Sequence, residues 1–156
     1  MTEALAITLL GEPVAWARTR GRFRFMPAHQ RNVVAALKLK AEEVMDGRAM
    51  LEGPLRLDFL AEFGVPASWS KKKRAAAPGQ PVTKRPDADN LAKLAADALN
   101  GVVYRDDAQI AEARIRKVYS TQPKITVTIS VLTAPPSESS ELFAIQILQQ
   151  VRREPL

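Results

Sequence analysis

The sequence predicts a small α+β domain, and three observations carry that reading. Residues 55–63 alternate, with Leu55, Leu57, Phe59, Ala61 and Phe63 on one side and Arg56, Asp58 and Glu62 on the other. In residues 125–131, Ile125, Val127, Ile129 and Val131 alternate with Thr126, Thr128 and Ser130. Period-two alternation places one face of a strand in a core and leaves the other to solvent. Between these stretches, Leu91, Leu94, Ala95, Ala98 and Leu99 recur at i, i+3, i+4, i+7 and i+8, the stripe of an amphipathic helix. A chain of 156 residues makes one domain large enough to close a core. The expected fold is a mixed β-sheet of about four strands with helices packed on one face.

The remaining elements follow in order. Leu5, Ile7 and Leu9 alternate with Ala6, Thr8 and Leu10, a first strand ended by Gly11-Glu12-Pro13. Arg18, Arg20, Arg22 and Arg24 then recur at period two around Gly21, so an extended arm would show all four on one side and Phe23 and Phe25 on the other. Residues 28–45 read as a helix with the stripe Val33, Val34, Leu37, Ala41 and Val44, and Gly47 is its stop. Ser68 is a candidate cap for a short helix carrying Lys71, Lys72, Lys73 and Arg74. The helix over 90–100 ends at Gly101, and Pro86 keeps the chain before it out of helix, which leaves Asp87 and Asp89 at the helix entrance. Asn90, Lys93 and Asp97 share its polar face. The last strands are 109–119 and 124–132. The stretch Ala134-Pro135-Pro136-Ser137-Glu138 has linker composition, so residues 1–133 form the domain and 134–156 a linker with a short tail helix near 141–153.

Composition narrows the chemistry. Without cysteine, and with His29 as the single histidine, thiol nucleophiles, Cys-ligated zinc and multi-histidine metal sites are excluded. No nucleophile-elbow sequence accompanies His29. No secretory signal is evident, and no apolar run approaches the ~18 residues that span a bilayer, so a cytoplasmic protein without membrane association is expected. The net charge of +6 favours an anionic partner. Its placement says more. Residues 13–41 hold seven basic side chains and no carboxylate, and residues 63–86 hold six more, again with none.

Directly after the second basic run come Asp87 and Asp89, then the doublet Asp106-Asp107. Carboxylates suit a hard cation such as Mg²⁺, which takes oxygen ligands and completes its shell with water and substrate phosphates. A surplus of Lys and Arg suits a phosphate backbone. Acid that DNA would repel, set within a basic surround, reads as a metal-dependent site acting on nucleic acid. An N-cap accounts for one of the first two aspartates, not both, and a turn is the ordinary meaning of an isolated Asp-Asp. A strand beginning near Gln109 runs antiparallel to the preceding helix, so its start lies by that helix's C-terminal end. From the chain alone, convergence of the two acid groups stays open, as does approach of one subunit's doublet to another element.

Asp87-x-Asp89-Asn90-Leu91-x-Lys93, Asp97-Ala98-Leu99-Asn100-Gly101 and Asp106-Asp107-x-Gln109-Ile110 together resemble the signature of the RusA family, Holliday junction resolvases found largely in prophages and phages. Ser68-Trp69-Ser70-Lys71-Lys72-Lys73-Arg74 and Gly11-Glu12-Pro13-Val14 are also similar to family members, and the resemblance covers about residues 5–132. Trp16-Ala17-Arg18-Thr19-Arg20 departs from the Gly- and Pro-containing basic sequence of many relatives while keeping its charge. The resemblance implies a homodimeric, Mg²⁺-dependent endonuclease (Mn²⁺ as substitute) that nicks two strands of a four-way junction in recombination and repair. Position by position it implies that Asp87, Asp89 and Asp107 bind metal, that Lys93 is the catalytic-site lysine, and that Asp106 and Asn90 support them. Arg18, Arg20, Arg22, Lys71, Lys72, Lys73, Arg74, Lys84 and Arg85 are the expected contacts to DNA phosphates. Alternative readings are an endonuclease for broader branched DNA, such as forks and flaps, and a junction-binding protein without catalysis.

Overall fold

The alternating stretches assemble into one mixed sheet. In the computed structural model, which describes residues 4–15 and 27–132, the chain runs β1 (Ala4–Leu10), α1 (Ala28–Met45), β2 (Leu55–Gly64), α2 (Lys71–Ala76), α3 (Ala88–Leu99), a 3₁₀ turn (Asp107–Gln109), β3 (Ile110–Ser120) and β4 (Lys124–Val131). Across the sheet the order is β1-β4-β2-β3. β4 is antiparallel to both β1 and β2, whereas β2 and β3 run parallel. A parallel neighbour requires a long crossover, and the stretch carrying α2 and α3 supplies it. The α+β class and four-stranded mixed sheet agree with expectation. The arginines at 18, 20, 22 and 24, both arm phenylalanines, the linker and the tail helix lie outside the described residues.

Burial follows the alternation. Leu5, Ile7, Leu55, Leu57, Phe59, Ala61, Phe63, Ile125, Val127 and Ile129 are buried, while Thr126, Thr128 and Ser130 on the opposite face stay partly exposed. α1 packs on β1 and α3, and α3 packs on β3. The stripe of α3 is buried as its spacing requires, through Leu91, Leu94, Ala95, Ala98 and Leu99. On α1 the fully buried residues are Gln30, Leu37, Ala41 and Met45, with Val33, Val34 and Val44 only partly covered, so the inward face is turned slightly from the apolar stripe.

One local feature fixes the sheet order. The chain passes from β3 to β4 through Thr121, Gln122 and Pro123, although β2 lies between those strands. The link crosses the end of β2 at Gly64, where a Cβ would meet Pro123 Cγ at 3.2 Å and run into the Glu12 carboxylate. The Gly64 N–H donates to Glu12 Oε1 at 3.0 Å, and the Gly11 N–H donates to the Pro123 carbonyl at 3.0 Å. A side chain at this position would require the Glu12 carboxylate to swing away, losing its bond to the Gly64 N–H, and Pro123 to give by a few tenths of an ångström.

Candidate active site

The entrance of α3 differs from the expectation by two residues. The helix begins at Ala88 with Asp87 at the N-cap position and Asp89 in the first turn. The Asp87 main-chain carbonyl accepts the helix-opening bond from the Leu91 N–H at 3.2 Å, but its carboxylate makes no capping hydrogen bond. Asp87 and Asp89 are both exposed, and the Arg85–Pro86 peptide just before them is cis. Acidic groups in the first turn are favoured by the helix dipole, by about 0.3–1 kcal/mol at an exposed site. Two carboxylates are thus presented to solvent and left available to a ligand.

Farther along α3, Lys93 Nζ lies 3.3 Å from Asp97 Oδ1. A lysine placed before its acid at i,i+4 is the weaker order for a helix pair, and exposed pairs of this kind contribute only about 0.3–0.5 kcal/mol. The contact draws the ammonium toward Asp97 and adds little to the stability of the fold.

The aspartate doublet divides into two roles. Asp106 caps the 3₁₀ turn: its Oδ1 accepts from the Ala108 N–H at 2.9 Å, and Gln109 Oε1 accepts from the Asp106 N–H at 3.2 Å. Gln109 Nε2 also donates to the carbonyls of Leu51 and Gly53, which anchors the turn to the loop before β2. Asp106 is therefore a turn residue. Asp107 is the partly exposed member of the doublet. It lies near Tyr104, whose ionisation is pushed up by burial first, and then by the negative charges of Asp107 and Asp97. These contacts place the doublet beside the second half of α3, the end opposite Asp87.

The basic residues gather near the helix entrance. Ser70, not Ser68, caps α2, its Oγ accepting from the Lys73 N–H at 3.3 Å. Trp69 is held in the preceding turn by its N–H bond to the Pro66 carbonyl. Lys73 Nζ sits 3.9 Å above the Trp69 ring, Trp69 meets Tyr119 edge-on at 5.1 Å, and Lys84 Nζ lies 5.9 Å from the Tyr119 ring. This chain of contacts joins the Lys71–Arg74 group to Lys84 and Arg85, and so to Asp87. Between β3 and the first turn of α3 there is a surface cleft of about 600 Å³, lined in part by Thr83, Ala88, Arg116 and Lys117.

Three neighbouring side chains were not among the expected site residues. Asp97 is legible as Lys93 plus four. Tyr104 carries no such signal. Lys117 stands between Ile115 and Tyr119 on the inward side of β3, which is a detectable breach of periodicity.

Among the described residues, no three histidine, aspartate or glutamate side chains stand close enough together to hold a metal ion between them. The donor chemistry nevertheless fits Mg²⁺, which binds through one or two carboxylates plus water and substrate phosphates. Asp87 and Asp89 provide two such groups without a third from the same chain.

No helix among the described residues is long and apolar enough to cross a membrane. Over 142 residues the chain is 33% identical to the uncharacterized protein YqaN of Bacillus subtilis (strain 168), covering 85% of this chain and 99% of that one. The family model of endodeoxyribonuclease RusA matches residues 11–130, which include the α3 entrance, Lys93 and the doublet. The chain belongs to the RusA family of endodeoxyribonucleases.

Proposed function

We propose that the protein is a Mg²⁺-dependent, structure-selective DNA endonuclease that acts as a homodimer and resolves four-way junctions by paired symmetric nicks. The observation that carries this reading is the uncapped carboxylate of Asp87, which follows Lys84 and Arg85 in the chain and precedes Lys93 by less than two helical turns. Asp87 and Asp89 are the residues assigned to hold the divalent cation, with Mn²⁺ able to substitute; the third assigned ligand, Asp107, lies at the other end of α3, so it would reach that ion only from the partner chain of the homodimer. When bound, such an ion supplies Lewis acidity toward the scissile phosphate and toward the attacking water.

The chain's own residues do the rest. Lys93, steadied by Asp97, offers positive charge to the phosphate as negative charge builds on it, the kind of preorganised stabilisation that dominates phosphoryl chemistry. Lys71, Lys72, Lys73, Arg74, Lys84 and Arg85 contact phosphates and set the register of the strand without reading bases, and Arg18, Arg20 and Arg22 of the arm extend that surface. Asn90 and Asp106 keep supporting roles, Asp106 by shaping the turn that carries Asp107. A four-way junction offers two equivalent strands, so an isologous pair of chains matches two sites to two scissile phosphates.

Incubation with a synthetic four-way junction, with and without Mg²⁺, beside linear duplex and fork controls, tests the proposal. Paired nicks at symmetry-related positions, dependent on Mg²⁺ and absent from linear duplex, are expected. Equal cutting of forks would move the assignment to broader branched DNA, and junction binding without cutting would remove the catalytic reading.

A further inference from the structure

We infer that Lys117 is a positioning residue of the α3 entrance, holding the main chain that presents Asp87 and Asp89; the inference rests on reading those aspartates as metal-binding. Lys117 occupies a position on β3 opposite buried Ala61, on the side of the sheet that the helices cover. Its neighbours in that series are Ala113, Ile115 and Tyr119, of which Tyr119 is buried, Ile115 partly covered and Ala113 exposed. Lys117 is itself partly covered, so its ammonium gives up part of its hydration, which hydrogen-bond acceptors replace.

Those acceptors are main-chain carbonyls. Lys117 Nζ donates to Lys84 O at 2.7 Å and to Pro86 O at 2.7 Å. Its own carbonyl accepts from the Val82 N–H at 3.0 Å. One residue thereby grips 82, 84 and 86, three alternate positions of the segment that leads into α3. The Pro86 carbonyl belongs to the peptide unit whose nitrogen is that of Asp87, so this bond fixes the peptide plane from which the first aspartate projects. Asp87 has no capping bond of its own to set its direction. Second-layer hydrogen bonds of this kind orient the ligands of a metal and tune its affinity.

A purely electrostatic role would have the opposite sign. A cation near a Mg²⁺ site repels the ion, so removing it should tighten metal binding. If Lys117 positions the aspartates, removing it should weaken binding instead.

The test uses the intact protein and Mn²⁺ as probe, with binding followed by paramagnetic resonance in the absence of DNA. Amide exchange across residues 82–91 is measured in parallel. Lys117→Met is expected to raise the Mn²⁺ dissociation constant about tenfold or more, the usual cost of losing an outer-layer partner. It is also expected to speed exchange at Val82 and Leu91, whose N–H groups bond to the Lys117 and Asp87 carbonyls. Arg116→Ala, which removes the adjacent cation from the other face of the strand, should leave the Mn²⁺ affinity unchanged. If Lys117→Met does not fold, Lys117→Gln, which keeps amide donors of shorter reach, is read in the same way. Unchanged or tighter Mn²⁺ binding, with exchange at 82–91 unaltered, would overturn the inference. If the wild-type protein binds no Mn²⁺, the metal reading of the aspartates fails, and the exchange measurement alone decides whether Lys117 holds the segment.

Discussion

The hydroxyl of Tyr104 donates a hydrogen bond to the main-chain carbonyl of Ala96 at 2.8 Å. Tyr104 is fully buried and stands three residues before Asp107. The chain leaves α3 at Gly101 in a left-handed conformation, φ 74°, and turns back on itself, the Gly101 N–H bonding to the Tyr104 carbonyl at 2.8 Å. The phenol then closes the turn onto the helix, tying the segment that bears the doublet to α3.

The buried phenol has a pH signature. Burial, with Asp107 and Asp97 nearby, raises the Tyr104 ionisation above the ordinary phenol value. A group whose folded value is raised adds stability that is fully present below its unfolded pKa, about 10 for tyrosine, and is lost as pH rises toward the folded value. Urea midpoints should therefore fall more steeply above pH ~10 in the wild type than in Tyr104→Phe. Near neutrality the variant should be less stable by about 0.5–1.5 kcal/mol, the worth of one hydrogen bond. A gap between the two proteins that does not narrow with alkali would contradict this account of the phenol.

Asp87→Asn and Asp89→Asn are each expected to abolish cleavage while retaining junction binding. Loss of a ligand charge weakens the hold on the metal, and it also lessens repulsion of phosphates, so binding should be equal or tighter. The Asp87 side chain makes no capping bond to lose, and Asn is as acceptable as Asp at that position, so the melting temperature should barely move for Asp87→Asn. Near wild-type cutting by either variant at saturating Mg²⁺ would show that the site is elsewhere.

Lys93→Ala should lower the cleavage rate by about 10²-fold or more, the scale of one missing electrostatic donor. Stability should change by no more than about 0.5 kcal/mol, since the exposed pair with Asp97 contributes little to folding. Single-turnover rates measured beside thermal melts separate the two effects, and a rate that falls only in step with the folded fraction would demote Lys93 to a surface lysine.

Replacing Lys71, Lys72 and Lys73 together should weaken binding to all DNA and reduce the salt slope by up to about 0.9 for each phosphate no longer neutralised. Lys73 also covers Trp69, so the triple variant removes packing as well as charge. The double replacement of Lys71 and Lys72, which leaves that stack intact, isolates the charge effect. A salt slope equal to that of the wild type in both variants would mark α2 as a solvated face.

Much of this architecture is legible in the sequence. The stripe of α3 and the alternation of β2 and β4 are set by burial periodicity, which a sequence displays directly. Sheet order is not displayed there, because it depends on how the Thr121–Gln122–Pro123 link clears Gly64, where distant parts of the chain meet. Two serines flank Trp69, and the pattern alone points to Ser68 as the cap of α2; the turn that seats Trp69 against Tyr119 delays the helix until after Ser70. The aspartates stand out by residue type and by their resemblance to a known signature, but the unequal roles of Asp106 and Asp107 arise from a local capping turn. Lys117 shows in the sequence only as a break in alternation. Its acceptors are main-chain carbonyls, and no side-chain pattern records those.

The last prediction concerns assembly, which symmetric resolution of a junction requires. Two nicks in equivalent strands call for two equivalent sites held at one spacing, so the active species should be a stable homodimer. Wild-type protein mixed with excess Asp87→Asn chains, after time for exchange, should form heterodimers that nick one strand and seldom both. On a junction carried by a supercoiled plasmid, this appears as nicked circles gaining at the expense of linear product, in proportion to the heterodimer fraction. Light scattering at the working concentration should give twice the chain mass. A monomer there, or paired cuts undiminished in the mixture, would mean that each chain completes the reaction alone.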